Sequence, residues 1–266
     1  MPGPLRIERS TSGPDAGIVV LTLDLPGARN AMKDELTAAW ADAVASLRGD
    51  RTVRCVVVTG AGRAFCAGGD VGWLATGADH TVDELRDRML PFYETWLSLG
   101  ALDVPSIAAV NGPAVGAGGI LALSCDLRYA GASARFTVPF AQLGMHAGMA
   151  STWLLPEVVG LAQARELLLT GRVCDAQEMV RLGLATEVFD DDTLMEQTMV
   201  RARMVAAGAP VAQRLHKVAL SRGGHATFAD ALQWESVVQP VTLASADLQE
   251  GLRARREKRP AVFTGR

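Results

Sequence analysis

Apolar residues near the N-terminus switch between two periods. Residues 17–24, GIVVLTLD, form a dense β-branched run that predicts a strand, and PGARN then turns the chain. Beyond it Leu36, Ala39, Trp40, Val44 and Leu47 recur at helical spacing until Gly49 interrupts them, which predicts a helix capped by Asp34. CVVVTG at 55–60 and SIAAVNG at 106–112 are short and almost continuously apolar, as expected of strands covered on both faces. Between them lie a glycine-rich loop, GRAFCAGGD, and a helical pattern from Thr81 to Leu99 carried by Leu85, Met89, Phe92, Trp96 and Leu99. Strand, helix, strand, helix is the rhythm of a parallel α/β core.

Further along, DLRYAG at 126–131, ARFTVP at 134–139 and TEVFD at 186–190 have strand composition, and LLPEVVGLAQARELLLTG predicts two short helices. From Asp191 onward the pattern is helical, and ADLQEGLRARREKRPAVF is strongly charged on one side. No internal repeat or low-complexity linker divides the chain. The reading therefore has a core over residues 1–190 and a helical region over 191–266, packed on the core or on a neighbouring subunit. Val104 to Cys125 is nearly uncharged over about the span of a bilayer, but Asn111, Pro105, Pro113 and its glycines favour a strand, a turn and a helix over a membrane span.

Composition narrows the function. At 266 residues the chain is long enough for one large core, and 49% hydrophobic against 21% charged residues excludes a disordered or fibrous protein. A formal charge of −3 lacks the basic footprint of a nucleic-acid binder. Cys55, Cys66, Cys125 and Cys174 fall in separate segments, suggesting neither a zinc cage nor a disulfide framework and fitting a reducing cytoplasm. MPGPLRIERSTSG has neither the basic start and apolar middle of a secretory signal nor the composition of a transit peptide, and reads as a mature start.

Two glycine-rich turns follow strands, AFCAGGD at 64–70 and NGPAVGAGG at 111–119. Bare backbone lets a ligand oxygen approach the main chain, and amides at a helix start point outward with the favourable end of the dipole behind them. One N–H from each turn, aimed at a carbonyl that becomes an enolate, would form an oxyanion hole. The competing reading is that these glycines only permit tight packing. Neither turn matches the dinucleotide fingerprint or the phosphate loop.

RNAM at 29–32, AFCAGGD, NGPAVGAGG, CDLRYAG at 125–131 and EKRPAVF at 257–263 occur in the order and at the spacings of one family. Over essentially its whole length the chain resembles the enoyl-CoA hydratase/isomerase (crotonase) superfamily. The resemblance implies an α/β fold, a crotonase-like spiral of repeated ββα units in two roughly perpendicular sheets, in place of a doubly wound sheet. It also implies a helical C-terminal region that forms a homotrimer or a dimer of trimers, and an acyl-CoA thioester as substrate, with no separate cofactor and no metal. By motif position the oxyanion donors are the amides of Gly69 and Ala117. Arg29 and Ala31 lie along the coenzyme A, Ala67, Gly68 and Asp70 touch it, and Lys258 reaches its nucleotide. Gly72 stands where the family commonly has a lysine.

The family's two hydratase glutamates correspond to Ile120 and Phe140, and a third acidic position to Gly148. None of these can move a proton in hydration. His146, in LGMHAGMAS, is the first candidate replacement, since imidazole suits acid/base work near neutrality. Glu94 on the pocket helix is a second, while Asp70 is expected to brace its turn. His80, His216 and His225 have no motif context. Trp73, Leu74, Met89, Phe92 and Trp96 either line an acyl tunnel or form ordinary core. Two functions follow: an acyl-CoA enzyme that stabilises a thioester enolate, or a non-catalytic acyl-CoA binder or carrier that has kept the pocket.

Overall fold

A computed structural model describes residues 3–221 and 227–266 of the chain, so His225 lies outside the described residues. The first half contains β1 (Leu5–Arg9), β2 (Ile18–Leu23), α1 (Asp34–Leu47), β3 (Cys55–Gly60), α2 (Val71–Leu74), α3 (Val82–Leu97) and β4 (Ser106–Val110). Then come β5 (Pro113–Val115), α4 (Ala117–Ser124), β6 (Leu127–Gly131), β7 (Arg135–Thr137), α5 (Ser151–Thr170), β8 (Cys174–Asp175), α6 (Ala176–Arg181) and β9 (Glu187–Phe189). Helices α7 (Leu194–Ala206), α8 (Pro210–Leu220), α9 (Phe228–Leu243) and α10 (Ala246–Glu257) complete the chain.

The larger sheet has the order β1-β2-β3-β4-β6-β9. Its β1/β2 pair is antiparallel and every other pair is parallel. Strands β2, β3 and β4 are the apolar runs, and β3 is buried at every position, as a strand covered on both faces must be. β5, β7 and β8 form a second sheet, and bridges from Cys66 to Ala114 and from Met32 to Gly69 extend the pairing to the glycine-rich loop. A pattern of two strands and a helix thus recurs along the chain.

The core between the sheets and helices is anchored by two tryptophans. Trp40 on α1 stacks on Trp96 on α3 with ring centroids 5.1 Å apart. Trp40 Nε1 donates to the Thr95 carbonyl and Trp96 Nε1 to Thr37 Oγ1, so both indole N–H groups are satisfied in the interior. This contact seats α3, whose start is fixed by a capping box between Thr81 and Glu84. The far face of the larger sheet is covered by α7, whose Leu194 and Ala202 pack with Ile18, Val57, Ile107 and Tyr129. Helix α7 starts just past residue 190 and touches β2, β3, β4, β6 and β9.

Several local expectations are corrected. Lys33, not Asp34, occupies the N-cap of α1, and Asp34 stands in the first turn, where its charge favours the helix dipole. Strand β4 ends at Val110 because the Asn111 side chain turns back on β3, accepting from Gly60 N and donating to the Gly60 carbonyl. The two short helices predicted beyond residue 150 are the halves of α5, broken at Gly160, whose φ of 76° and ψ of 158° are not helical. The sequence pattern does not predict strands β1, β5 and β8 or helices α2 and α6. Among the described residues no helix is long and apolar enough to cross a membrane.

Candidate functional site

The site begins with Asn30, fully buried although polar. Its Nδ2 donates to the carbonyls of Ala61, Ala64 and Phe65, and its Oδ1 accepts from Leu25 N. One amide side chain therefore ties the turn after β2 to the loop after β3. Alongside it, Ala67 N donates to the Arg29 carbonyl and Met32 N to the Gly68 carbonyl. The glycine-rich loop is held as an extended rung with its next residues turned outward.

That loop lies directly on the second bare turn. Gly68 has φ +90°, and a Cβ there would stand 2.6 Å from the Val115 carbonyl oxygen and 3.3 Å from Ala117 N. Only glycine allows both the backbone shape and the approach. Gly118 and Gly119 serve packing: a Cβ on the first would lie 2.3 Å from the Cys66 carbonyl oxygen, and on the second 2.8 Å from the Phe136 ring. Gly69 differs, since a Cβ there would meet nothing closer than Leu74 at 3.8 Å. Of the two readings of the glycines, close packing explains Gly118 and Gly119 and leaves Gly69 unexplained.

Gly69 and Ala117 both line a cavity of about 130 Å³ between the two turns, α3 and the loop before α5. Ala117 is the first residue of α4, where an amide has no partner within the helix. Among the described residues neither the Gly69 nor the Ala117 amide has an acceptor within the chain. Two uncommitted main-chain donors thus border one cavity, one of them at a helix N-terminus.

Ala67, Gly68, Asp70 and His146 also line the cavity, whereas Arg29, Ala31 and Lys258 do not. Arg29 is exposed in a left-handed turn, and Lys258 is exposed at the C-cap of α10. Asp70 caps α2, accepting from Gly72 N at 3.0 Å. Phe140 lines the cavity with its ring beside Gly116, 3.8 Å from where a Cβ would stand, but Ile120 is fully buried in the core and absent from the lining. Glu94 is exposed and also outside the lining. Trp73, Leu74, Met89 and Phe92 form part of the wall, while Trp96 belongs to the stacked core pair.

His146 is exposed on the loop before α5, and its Nδ1 lies 2.8 Å from the Ala147 carbonyl. A carbonyl only accepts, so Nδ1 carries a proton and Nε2 holds the free electron pair of the neutral ring. At the mouth, Arg88 pairs with Asp34 at 2.7 Å and lies over the Trp73 ring, 4.4 Å from its centroid. Tyr93, Met145 and Met149 also line the wall, and the sequence motifs do not point to them. Tyr93 lies one helical turn beyond Met89, a spacing that reads as core.

Comparison with known proteins places these features in context. The sequence model of one family, described as enoyl-CoA hydratase/isomerase, matches residues 13–266. The 1,2-epoxyphenylacetyl-CoA isomerase of Escherichia coli K12 is 36% identical over 253 residues, covering 95% of this chain and 97% of that protein. A protein of Mycobacterium tuberculosis H37Rv named "Probable enoyl-CoA hydratase EchA14" is 42% identical over 200 residues, 75% of each chain. The crystal structure of an enoyl-CoA hydratase from Bacillus anthracis superposes with a TM-score of 0.91 at 30% identity, covering 99% of this chain and 100% of that one. The architecture is the crotonase-like α/β fold.

Proposed function

Since the chain belongs to the enoyl-CoA hydratase/isomerase family, we propose that it binds an acyl-CoA thioester with the carbonyl oxygen between the amides of Gly69 and Ala117 and stabilises the enolate that forms there. The observation that carries this reading is the pair of cavity-lining amides without internal acceptors, held together by the approach of Gly68 to Ala117. Negative charge moves onto the thioester oxygen when a proton leaves the α-carbon, and two fixed donors favour that state over the ground state. Loss of one such donor costs about 3 kcal/mol in comparable sites.

The proton transfer is assigned to His146. Of the two lining carboxylates, Asp70 is committed to capping α2 and Asp34 is paired with Arg88 at the mouth. Neither Ile120 nor Phe140, at the positions the resemblance gives to the hydratase glutamates, can orient water. Enolate chemistry that needs a single proton-transfer group therefore fits better than water addition. The second reading, a non-catalytic acyl-CoA binder, is favoured by the Phe140 ring beside Gly116 and by the exposure of His146.

Crotonyl-CoA tests both. Calorimetry should detect binding, and spectrophotometry should show hydration slower than that of a fully equipped enzyme by roughly 10²- to 10⁴-fold, the usual contribution of positioned acid/base groups. Hydration with kcat on the order of 10³ s⁻¹ would overturn the assignment of Ile120 and Phe140. Absence of binding would overturn the acyl-CoA reading. His146→Ala separates enzyme from binder: collapse of any enolate turnover with binding intact supports the enzyme.

A further inference from the structure

Asp34, Asp70, Arg88 and His146 at the cavity are committed to partners or exposed, and Tyr93 differs from them. Tyr93 on α3 is half-buried, and among the described residues its hydroxyl donates only to the Met89 sulfur at 3.6 Å, a weak acceptor. A Cβ on Gly148 would lie 2.5 Å from that oxygen, so the bareness of Gly148 makes the room in which the hydroxyl sits. Met89, Tyr93 and Gly148 all line the cavity. The Gly148 segment is braced, with Ser151 Oγ donating to the Gly148 carbonyl. The Phe92 ring holds Tyr93 edge-on with centroids 6.1 Å apart. A phenol is thus fixed in an apolar wall with its oxygen only weakly partnered, an arrangement that favours a ligand group able to pair with it.

We propose that the Tyr93 hydroxyl is a specificity-determining group that hydrogen-bonds an oxygen substituent on the acyl chain, so that the cavity takes oxygenated acyl thioesters in preference to plain hydrocarbon ones. The inference rests on the acyl-CoA reading of the site. A neutral phenol both donates and accepts, so a hydroxyl, carbonyl or ether oxygen meets it equally well. Burial holds Tyr93 in that neutral form by pushing its ionisation above the ordinary value of 10.0. A hydrocarbon chain expels water from the phenol without replacing the lost hydrogen bond, and discrimination follows from that difference.

Calorimetry with butyryl-CoA and its 2-, 3- and 4-hydroxy derivatives tests the proposal. At least one hydroxylated chain should bind roughly tenfold tighter than butyryl-CoA, the worth of one well-formed hydrogen bond. Tyr93→Phe should abolish that advantage and leave butyryl-CoA bound at least as well. Gly148→Ala, which places a methyl group against the Tyr93 oxygen, should shrink the advantage with the phenol still present. Equal binding of all four thioesters to the parent, or a preference that survives in Tyr93→Phe, overturns the proposal while leaving the acyl-CoA reading intact. Failure of all four thioesters to bind removes both.

Discussion

Gly68 shows how much of the site depends on what a side chain would disturb. Gly68→Ala would force a left-handed backbone on alanine and drive its methyl group into the Val115 carbonyl. The expected cost is about 1 to 3 kcal/mol of stability, together with weaker acyl-CoA binding as the two turns separate. Thermal melts and calorimetry measure the two effects, and an unchanged affinity would mean that the approach of the turns does not set the site. Ile120 carries a different expectation. Because it is fully buried in the core, Ile120→Val should cost about 1 kcal/mol, whereas Ile120→Glu should cost several by burying an unpaired carboxyl. Equal denaturation midpoints for these two variants would place the side chain in solvent or in the cavity. Burial also pushes the Cys55, Cys66 and Cys125 thiols up to about 12, and Cys174 to about 11. Their neutral forms stabilise the fold fully below the ordinary value of 9.0, and that contribution is lost as pH rises toward the folded values. The native protein at pH 8 should accordingly resist an aromatic disulfide reagent and expose four thiols on denaturation. A thiol that reacts promptly in the native state would contradict this burial. At this scale the motifs located Gly69, Ala117, Asp70 and His146 on one cavity, but they gave no sign of Tyr93. Its position matters only because distant Gly148 leaves space for its hydroxyl, and helical spacing does not report that.

Among the elements, those built on dense apolar periodicity were legible from the sequence. Strands β2, β3 and β4 and helix α1 match their patterns because each buries a continuous face, while the stripe of α3 is half-buried apart from Trp96. β1 escaped because it is an edge strand with mostly exposed side chains, and β5 because its three residues sit between Gly112 and Gly116 in what reads as one long turn. The C-terminal motif has a local explanation that its resemblance did not supply. Arg259 returns to Glu250 at 2.6 Å, Arg253 pairs with the same carboxylate, and Val262 N donates to it. Asp247 accepts from Thr264 N and Gly265 N, while Arg54 holds the Phe263 carbonyl, so the tail is clasped between α10 and the start of β3. The two arginines and the Val262 amide hold the Glu250 carboxyl well below the usual carboxylate range. A lowered value means the clasp stabilises above the ordinary 4.5 and weakens as pH falls below it. Hydrogen exchange should show residues 258–266 protected at pH 7, less so in acid, and exposed in Glu250→Gln at both. Equal protection of the variant and parent would remove Glu250 from that role.

Considered whole, the molecule presents a finished core and an unfinished surface. α7 covers the far face of the larger sheet, yet α9 has no buried residue and exposes Phe228, Leu232, Val237 and Val241. Exposed apolar side chains gathered on one helix mark an interaction surface, and the trimer or dimer of trimers implied by the resemblance would cover it. Light scattering should give three or six times the chain mass, and a monomer would contradict that expectation. The spiral of two sheets became legible through the motifs rather than through periodicity, because the strand and helix pattern alone also fits a doubly wound sheet. The motifs work at this scale because they mark where two bare turns must meet across a fold. Whether they meet around a thioester can be observed at the carbonyl. Vibrational difference spectroscopy of butyryl-CoA labelled at the carbonyl carbon reports the polarisation of that bond directly. The C=O stretch should shift to lower frequency on binding, and Ala117→Pro should remove much of the shift, since proline suits the first position of a helix but carries no N–H. A bound thioester whose carbonyl stretches as it does in water, with no difference between parent and variant, would contradict the oxyanion site.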